Sequence, residues 1–85
     1  MYKITLTDEA KKNYDTLGSK LQKQVDKGLA RIANNPFIGK PLRTPLHGIW
    51  SERVATFRIL YKIERQQVEV LVLVIEHRRH VYGGH

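Results

Sequence analysis

Cysteine is absent from this 85-residue chain. No disulfide framework and no thiolate zinc site are open to it, so its core must hold by packing, alone or against a partner, and a cytoplasmic location is expected. Long apolar runs are missing as well. The longest, Val70 to Ile75, is far too short to span a bilayer, and Met1 to Leu6 lead straight into structured sequence without a signal-peptide stretch, so no membrane is expected among the partners. Acidic residues are scarce: eight Asp and Glu stand against fifteen Lys and Arg, a net charge of +7. That balance predicts a polyanionic partner, either nucleic acid or an acidic protein segment. Repeats and low-complexity segments are lacking too. The apolar fraction of 41% suffices for one small core, and residues 1–85 read as a single domain.

The bases are not evenly mixed. Every Lys except Lys62 lies before residue 43, every Arg except Arg31 lies from Arg43 onward, and all the His are in the second half. Lys is a hydrated point charge that suits solvated helices, whereas Arg offers a rigid fork matched to phosphate oxygens. The first half therefore reads as scaffold and the second as site.

Tyr2, Ile4 and Leu6 alternate with polar residues and predict a short first strand. Thr7 reads as a helix cap, with Asp8 and Glu9 in the first turn where they meet the positive end of the helix dipole. Ala10, Tyr14 and Leu17 recur at helical spacing, Gly18 is expected to end that helix in the left-handed conformation, and Ser19 to Gln22 matches a capping box that opens the next. There Leu21, Val25, Leu29 and Ile32 form one apolar stripe, with Lys20, Lys23, Lys27 and Arg31 largely away from it, until Asn34-Asn35-Pro36 stops the helix. The stretch from Phe37 to Ile49 is too rich in chain breakers for regular structure.

From Trp50 the pattern turns to strand. Phe57, Ile59, Tyr61 and Ile63 share one face, Thr56, Arg58, Leu60 and Lys62 the other, and a polar turn at Glu64 to Gln67 folds Val68 to His77 back antiparallel as a central strand covered on both faces. The fold class is therefore α+β: an N-terminal strand, a two-helix hairpin, then a C-terminal antiparallel sheet of about three strands. A loop at Arg65-Gln66 would set Phe57 opposite Val74 and Arg53 opposite Arg78, and would place Arg58 on the face of His77. Two arginines facing each other repel unless an anion lies between them. On that register a bulge or a bend is needed to bring Arg58 and Arg78 onto one phosphate.

The strands end on Glu76-His77-Arg78-Arg79-His80-Val81-Tyr82, where Arg, His and Tyr together can grip a phosphate and move protons around it. Plainer roles exist for each residue. Arginines often do no more than solvate a sheet edge, Arg79 reads as a solvated neighbour, Tyr82 as a packing aromatic, and Trp50 as core or rim. His77 and His80 fall on opposite faces of an extended chain, which argues against a metal pair, and no cofactor is expected.

Trp50-Ser51-Glu52-Arg53-Val54-Ala55-Thr56-Phe57-Arg58-Ile59-Leu60-Tyr61, preceded by Leu42-Arg43, and Val74-Ile75-Glu76-His77-Arg78-Arg79-His80-Val81-Tyr82 resemble the RelE/ParE toxin superfamily. Its usual pattern is an aromatic, Arg-Val-Gly-Asp-Tyr-Arg, an apolar strand, then Gly-His-Arg-x-x-Val-Tyr. Here Ala55-Thr56 replaces the Gly-Asp turn, Phe57 the Tyr and Glu76 the Gly. Trp50-Ser51-Glu52 stands where RelE-like members carry a catalytic lysine pair. The resemblance spans the whole chain and implies a RelE-like, microbial-ribonuclease-like fold. It implies a toxin that cuts messenger RNA in the ribosomal decoding site without a metal or, in ParE-like members, one that inhibits DNA gyrase. A cognate acidic antitoxin is the implied protein partner. On this reading Arg58 and Arg78 hold the phosphate, Tyr82 and His77 transfer protons, and Arg53, Lys62, Arg43 and Arg79 contact RNA. A non-catalytic basic module that binds nucleic acid through charge is the remaining alternative.

Overall fold

The computed structural model describes residues 1–77. Its elements are β1 (Lys3–Leu6), α1 (Asp8–Asp15), α2 (Ser19–Asn34), a single 3-10 turn (Pro36–Ile38), β2 (Lys40–Pro41), β3 (Trp50–Val54), β4 (Phe57–Glu64) and β5 (Glu69–His77). The five strands form one sheet in the order β1-β5-β4-β3-β2. The class is the α+β arrangement expected, with two additions to the strand count. β1 joins the sheet in parallel with β5, which places β5 between β1 and β4, and β2 adds a two-residue edge within the segment expected to be irregular.

Both helices cover one face of the sheet. Thr7 caps α1, its hydroxyl oxygen accepting from the Ala10 N–H at 3.1 Å. Gly18 does not end α1 in the left-handed region. It is the extended N-cap of α2, with φ −69°, and Ser19 is the first helical residue, so the expected capping box is not formed. Val25 and Ile32 of α2, Ala10 of α1, and Val54, Phe57, Ile59, Tyr61, Val70, Val72 and Ile75 of the sheet make the core. Gly28 lets α2 come close to β3, since a Cβ there would lie 2.3 Å from Val54 Cγ2. Tyr14 Oη donates to Asp26 Oδ1 at 2.8 Å and ties the two helices together. That bond raises the Tyr14 phenol above its ordinary value. Among the described residues no helix is long and apolar enough to cross a membrane.

The register of β4 on β5 differs from the expected one for two reasons. The turn spans Arg65 to Val68, because Glu64 pairs with Glu69. Further along, Leu60 pairs with Val74 while Tyr61 pairs with Val72, so Leu73 is an extra residue and the strand bulges there. Phe57 is consequently opposite His77 and Arg58 opposite Glu76. The bulge is held from the helix side: Thr7 Oγ1 donates to the Leu73 carbonyl at 2.7 Å, and the Ile75 N–H donates to Asn13 Oδ1 at 2.9 Å. It also changes the phase of β5. Val70 and Val72 are buried before it and Ile75 after it, whereas Leu71, Leu73 and Val74 are only half-buried. The second face of β5 is therefore less covered than its apolar run implies.

Candidate functional site

Val54 and Phe57 pair across a two-residue turn, Ala55-Thr56, so β3 and β4 make a tight hairpin. Ala55 has φ 54°, the left-handed region that such a turn demands at its first position and that Gly adopts without cost. One step back from the turn, Arg53 and Arg58 face each other. Alternation from buried Val54 and Phe57 places both on the outer face of the sheet, away from the helices. The expected pairing of Arg53 with Arg78 is thus replaced by a pairing with Arg58.

A cleft of about 350 Å³ opens here, lined by Ile38, Lys40, Ser51, Glu52, Arg53 and Arg58. Lys40 reaches it from β2, where it pairs with Ser51. Glu52 also borders this space, but it pairs with buried Ile59 and its carboxylate turns to the helix face, where Arg31 Nη2 of α2 lies 3.4 Å from Glu52 Oε2, with side-chain exposures of 51% for Arg31 and 19% for Glu52. Beneath the cleft, Tyr61 is fully buried and donates from its hydroxyl to the Pro36 carbonyl at 2.6 Å. Burial, with the nearby Glu52 charge, pushes the Tyr61 phenol up to about 12, against the pull of the Gly39 backbone. Gly39 is required at this spot, because a Cβ would stand 2.2 Å from Tyr61 Oη and 3.0 Å from the Ser51 carbonyl oxygen. Phe37 meets Trp50 edge-on at 5.6 Å, and Arg65 lies over the Phe37 ring at 5.1 Å. Trp50 is therefore rim, as expected.

His77 does not share a face with Arg58. Its ring packs edge-on against Phe57 at 5.3 Å on the helix side, beside a separate cleft that Glu9, Asn13 and Glu76 also line. The shifted register is the reason. Lys62 is exposed on the outer face opposite Leu71, and Arg43 is exposed in the loop after β2. Arg78, Arg79 and Tyr82 lie outside the described residues. Among the described residues no group of three His, Asp or Glu side chains could hold a metal ion. Lys40 and Ser51 were not among the expected site residues, and neither carries a local sequence signal, since both enter the cleft through the pairing of β2 with β3.

The cleft thus combines three cations and a hydroxyl on an open sheet face, a set that can bind an oxyanion. The family model for the ParE toxin of the parDE type II toxin–antitoxin system matches residues 4–82. The chain belongs to this ParE toxin family. It lies within the RelE/ParE toxin superfamily that its motifs resemble. Toxin RelG of Mycobacterium tuberculosis is 31% identical over 83 residues, which make up 95% of this chain and 95% of that protein. A chain of the toxin–antitoxin complex RelBE2 from the same organism superposes with a TM-score of 0.83 at 30% identity, covering 91% of this chain and 98% of the other. The isolated Escherichia coli toxin RelE shares the fold, with a TM-score of 0.78 at 23% identity over 96% of this chain and 92% of that one. The overall fold of this ParE-family chain is therefore that of its superfamily.

Proposed function

We propose that this toxin is a ribosome-dependent endoribonuclease that cuts messenger RNA in the decoding site and is neutralised by a cognate acidic antitoxin. The observation that carries the reading is the Arg53–Arg58 pair on the outer sheet face, beside Lys40 and Ser51 in one cleft. Two guanidinium groups set directly opposite each other, with Lys40 on the next strand, offer a phosphodiester several charge-assisted hydrogen bonds at once. Attack of a ribose 2′-oxygen on the adjacent phosphorus forms the O2′–P bond and breaks the P–O5′ bond, leaving a 2′,3′-cyclic phosphate and a 5′-hydroxyl. One proton leaves the 2′-hydroxyl and another reaches the departing 5′-oxygen. The extra negative charge that develops on the phosphorane is what the guanidinium groups stabilise.

Arg58 and Arg53 hold the phosphate in this scheme, and Arg78 and Tyr82 keep the roles that the superfamily pattern gives them. Support for the antitoxin comes from the net charge of +7 and from relatives solved as toxin–antitoxin complexes, among them RelBE2 and the intact Escherichia coli RelBE. The rival reading is gyrase inhibition, favoured by the match to the ParE family model. Primer extension on a message with and without ribosomes, run beside a supercoiling assay, separates them. Discrete cuts that need ribosomes support the nuclease, whereas loss of supercoiling without cuts overturns it.

A further inference from the structure

The outer face of the sheet has a charge gradient. Arg58, Arg53 and Lys40 occupy three neighbouring strands, β4, β3 and β2. On the other side β5 offers Glu76 beside Arg58 and Glu69 beside Lys3, with the Thr5 hydroxyl donating to the Glu69 carboxylate. Lys62 lies along β4 rather than across it, roughly 13 Å from Arg58 at a strand rise of about 3.3 Å per residue. A polyanion bound at Arg53 and Arg58 is therefore drawn across the strands toward β2 and repelled toward β1.

Beyond β2 lies a second concavity of about 640 Å³, lined by Lys40, Pro41, Leu42, Arg43, Thr44 and His47. Lys40 lines both spaces, so the two adjoin at its side chain. The loop that carries Arg43 and His47 is braced by backbone bonds from the Leu42 N–H to the Ile49 carbonyl at 2.9 Å, from Leu46 to Arg43 at 2.8 Å and from Ile49 to Leu46 at 3.1 Å. No carboxylate belongs to its lining. Its lining residues carry an ammonium, a guanidinium, a hydroxyl and an imidazole beside the aliphatic Pro41 and Leu42. Cations suit phosphate, while an imidazole and apolar surface suit an unstacked base.

We propose that this second concavity is an RNA subsite for the nucleotides next to the cleaved phosphate, with Lys40 shared between the two, Arg43 on the neighbouring phosphate and His47 against a base. The inference rests on the nuclease reading and assigns the direction in which the substrate strand leaves the cleft. Contacts there would let remote binding energy align the reacting phosphate, which is how a polymer substrate outperforms a short one.

The test uses 2′-O-methyl oligonucleotides, which cannot be cleaved, with two and with six nucleotides, titrated against the full chain by fluorescence anisotropy. The parent should bind the longer one about tenfold tighter or more, the worth of at least one added charge-assisted hydrogen bond. Arg43→Ala/His47→Ala should erase most of that advantage, reduce the salt slope by about 0.7 for the lost single-strand phosphate contact and leave dinucleotide affinity unchanged. Arg53→Ala should weaken both lengths. A full length advantage in the double variant, or equal loss at both lengths, overturns the subsite. So does a poly-glutamate peptide that binds the parent better than the longer RNA and loses binding in the double variant, since the surface would then belong to an acidic protein. If the parent shows the expected length dependence yet cuts no message on ribosomes, the nuclease reading fails, and what stands is an RNA-binding concavity with no cleaved phosphate beside it. No RNA binding at either length overturns both.

Discussion

Arg53 and Arg58 sit directly opposite each other on β3 and β4, on the face of the sheet that the helices leave open. Like charges across a strand pair are destabilising, and Glu76, opposite Arg58 on β5, stands on the far side of that pair from Arg53. Arg53→Gln should therefore stabilise the chain by about 0.2–1 kcal/mol in low salt while weakening RNA binding. Urea unfolding at low and at high sodium chloride checks this. The gain should shrink as salt screens the pair, and a loss of stability on substitution would show that Arg53 is held by contacts other than those of a phosphate site.

Glu52 offers a separation of structural from chemical roles. Its ion pair with Arg31 is partly exposed, so Glu52→Gln should change stability by no more than about 1 kcal/mol. Because the carboxylate turns to the helix face, away from Arg53 and Arg58, the same substitution should leave cleavage within about threefold of the parent, far short of an acid–base contribution. Measuring unfolding and single-turnover cleavage on one preparation checks both expectations. A loss of about 100-fold or more would instead place Glu52 in the proton transfer.

Tyr61 makes stability depend on alkaline pH. Its folded value of about 12 lies above the ordinary 10 of an unfolded chain, so its contribution is complete below pH 10 and is lost as pH rises through about 12. The slope over that window should amount to on the order of 2 kcal/mol. Tyr61→Phe should remove the slope and cost about 1–2 kcal/mol at neutral pH, because the buried Pro36 carbonyl loses its donor. Denaturant titrations at several pH values between 8 and 12 provide the measurement. An unchanged slope in the Phe variant would assign the alkaline loss to other groups.

Two turn residues are strained. Ala55 has φ 54° and Val68 has φ 51°, where a side chain crowds the backbone and a β-branched one does so most. Ala55→Gly and Val68→Gly should each stabilise the fold by up to about 1 kcal/mol, less the entropy that glycine loses on folding. The first substitution also restores the glycine of the usual superfamily turn and should leave the Arg53–Arg58 pairing intact. Thermal unfolding of both variants checks the prediction, and destabilisation by either would contradict the strain account.

Much of this was legible in the residues. The start of α1, the end of α2, the alternation of β4 and the central position of β5 follow from polar and apolar spacing at Thr7, Asn34 to Pro36, and Phe57 to Ile63, whereas Gly18 misplaced the end of α1. The relation of β4 to β5 does not follow. Val70 to Ile75 has no polar residue to mark which side chain leaves the repeat, so the bulge at Leu73 is silent in the sequence, and it becomes visible only through the bonds that Thr7 and Asn13 make to it. Val68 hid the true turn length, since a valine in the left-handed region is not a turn signal. For the same reasons His77 was expected on the face of Arg58, and Arg53 opposite Arg78. β2 is too short to show any period. Its residue Lys40 enters the cleft through a pairing with Ser51 that depends on long-range register.

The central claim is that the Arg53–Arg58 face grips the phosphate of a message that the toxin cleaves. Its most direct test is single-turnover cleavage on programmed ribosomes with Arg58→Ala beside the parent, after circular dichroism has shown that both are folded. Removing one preorganised cation from the developing phosphorane should slow the reaction by about 10²–10³-fold, with cuts at unchanged positions. Parent-like cleavage by the folded Arg58→Ala variant would contradict the account.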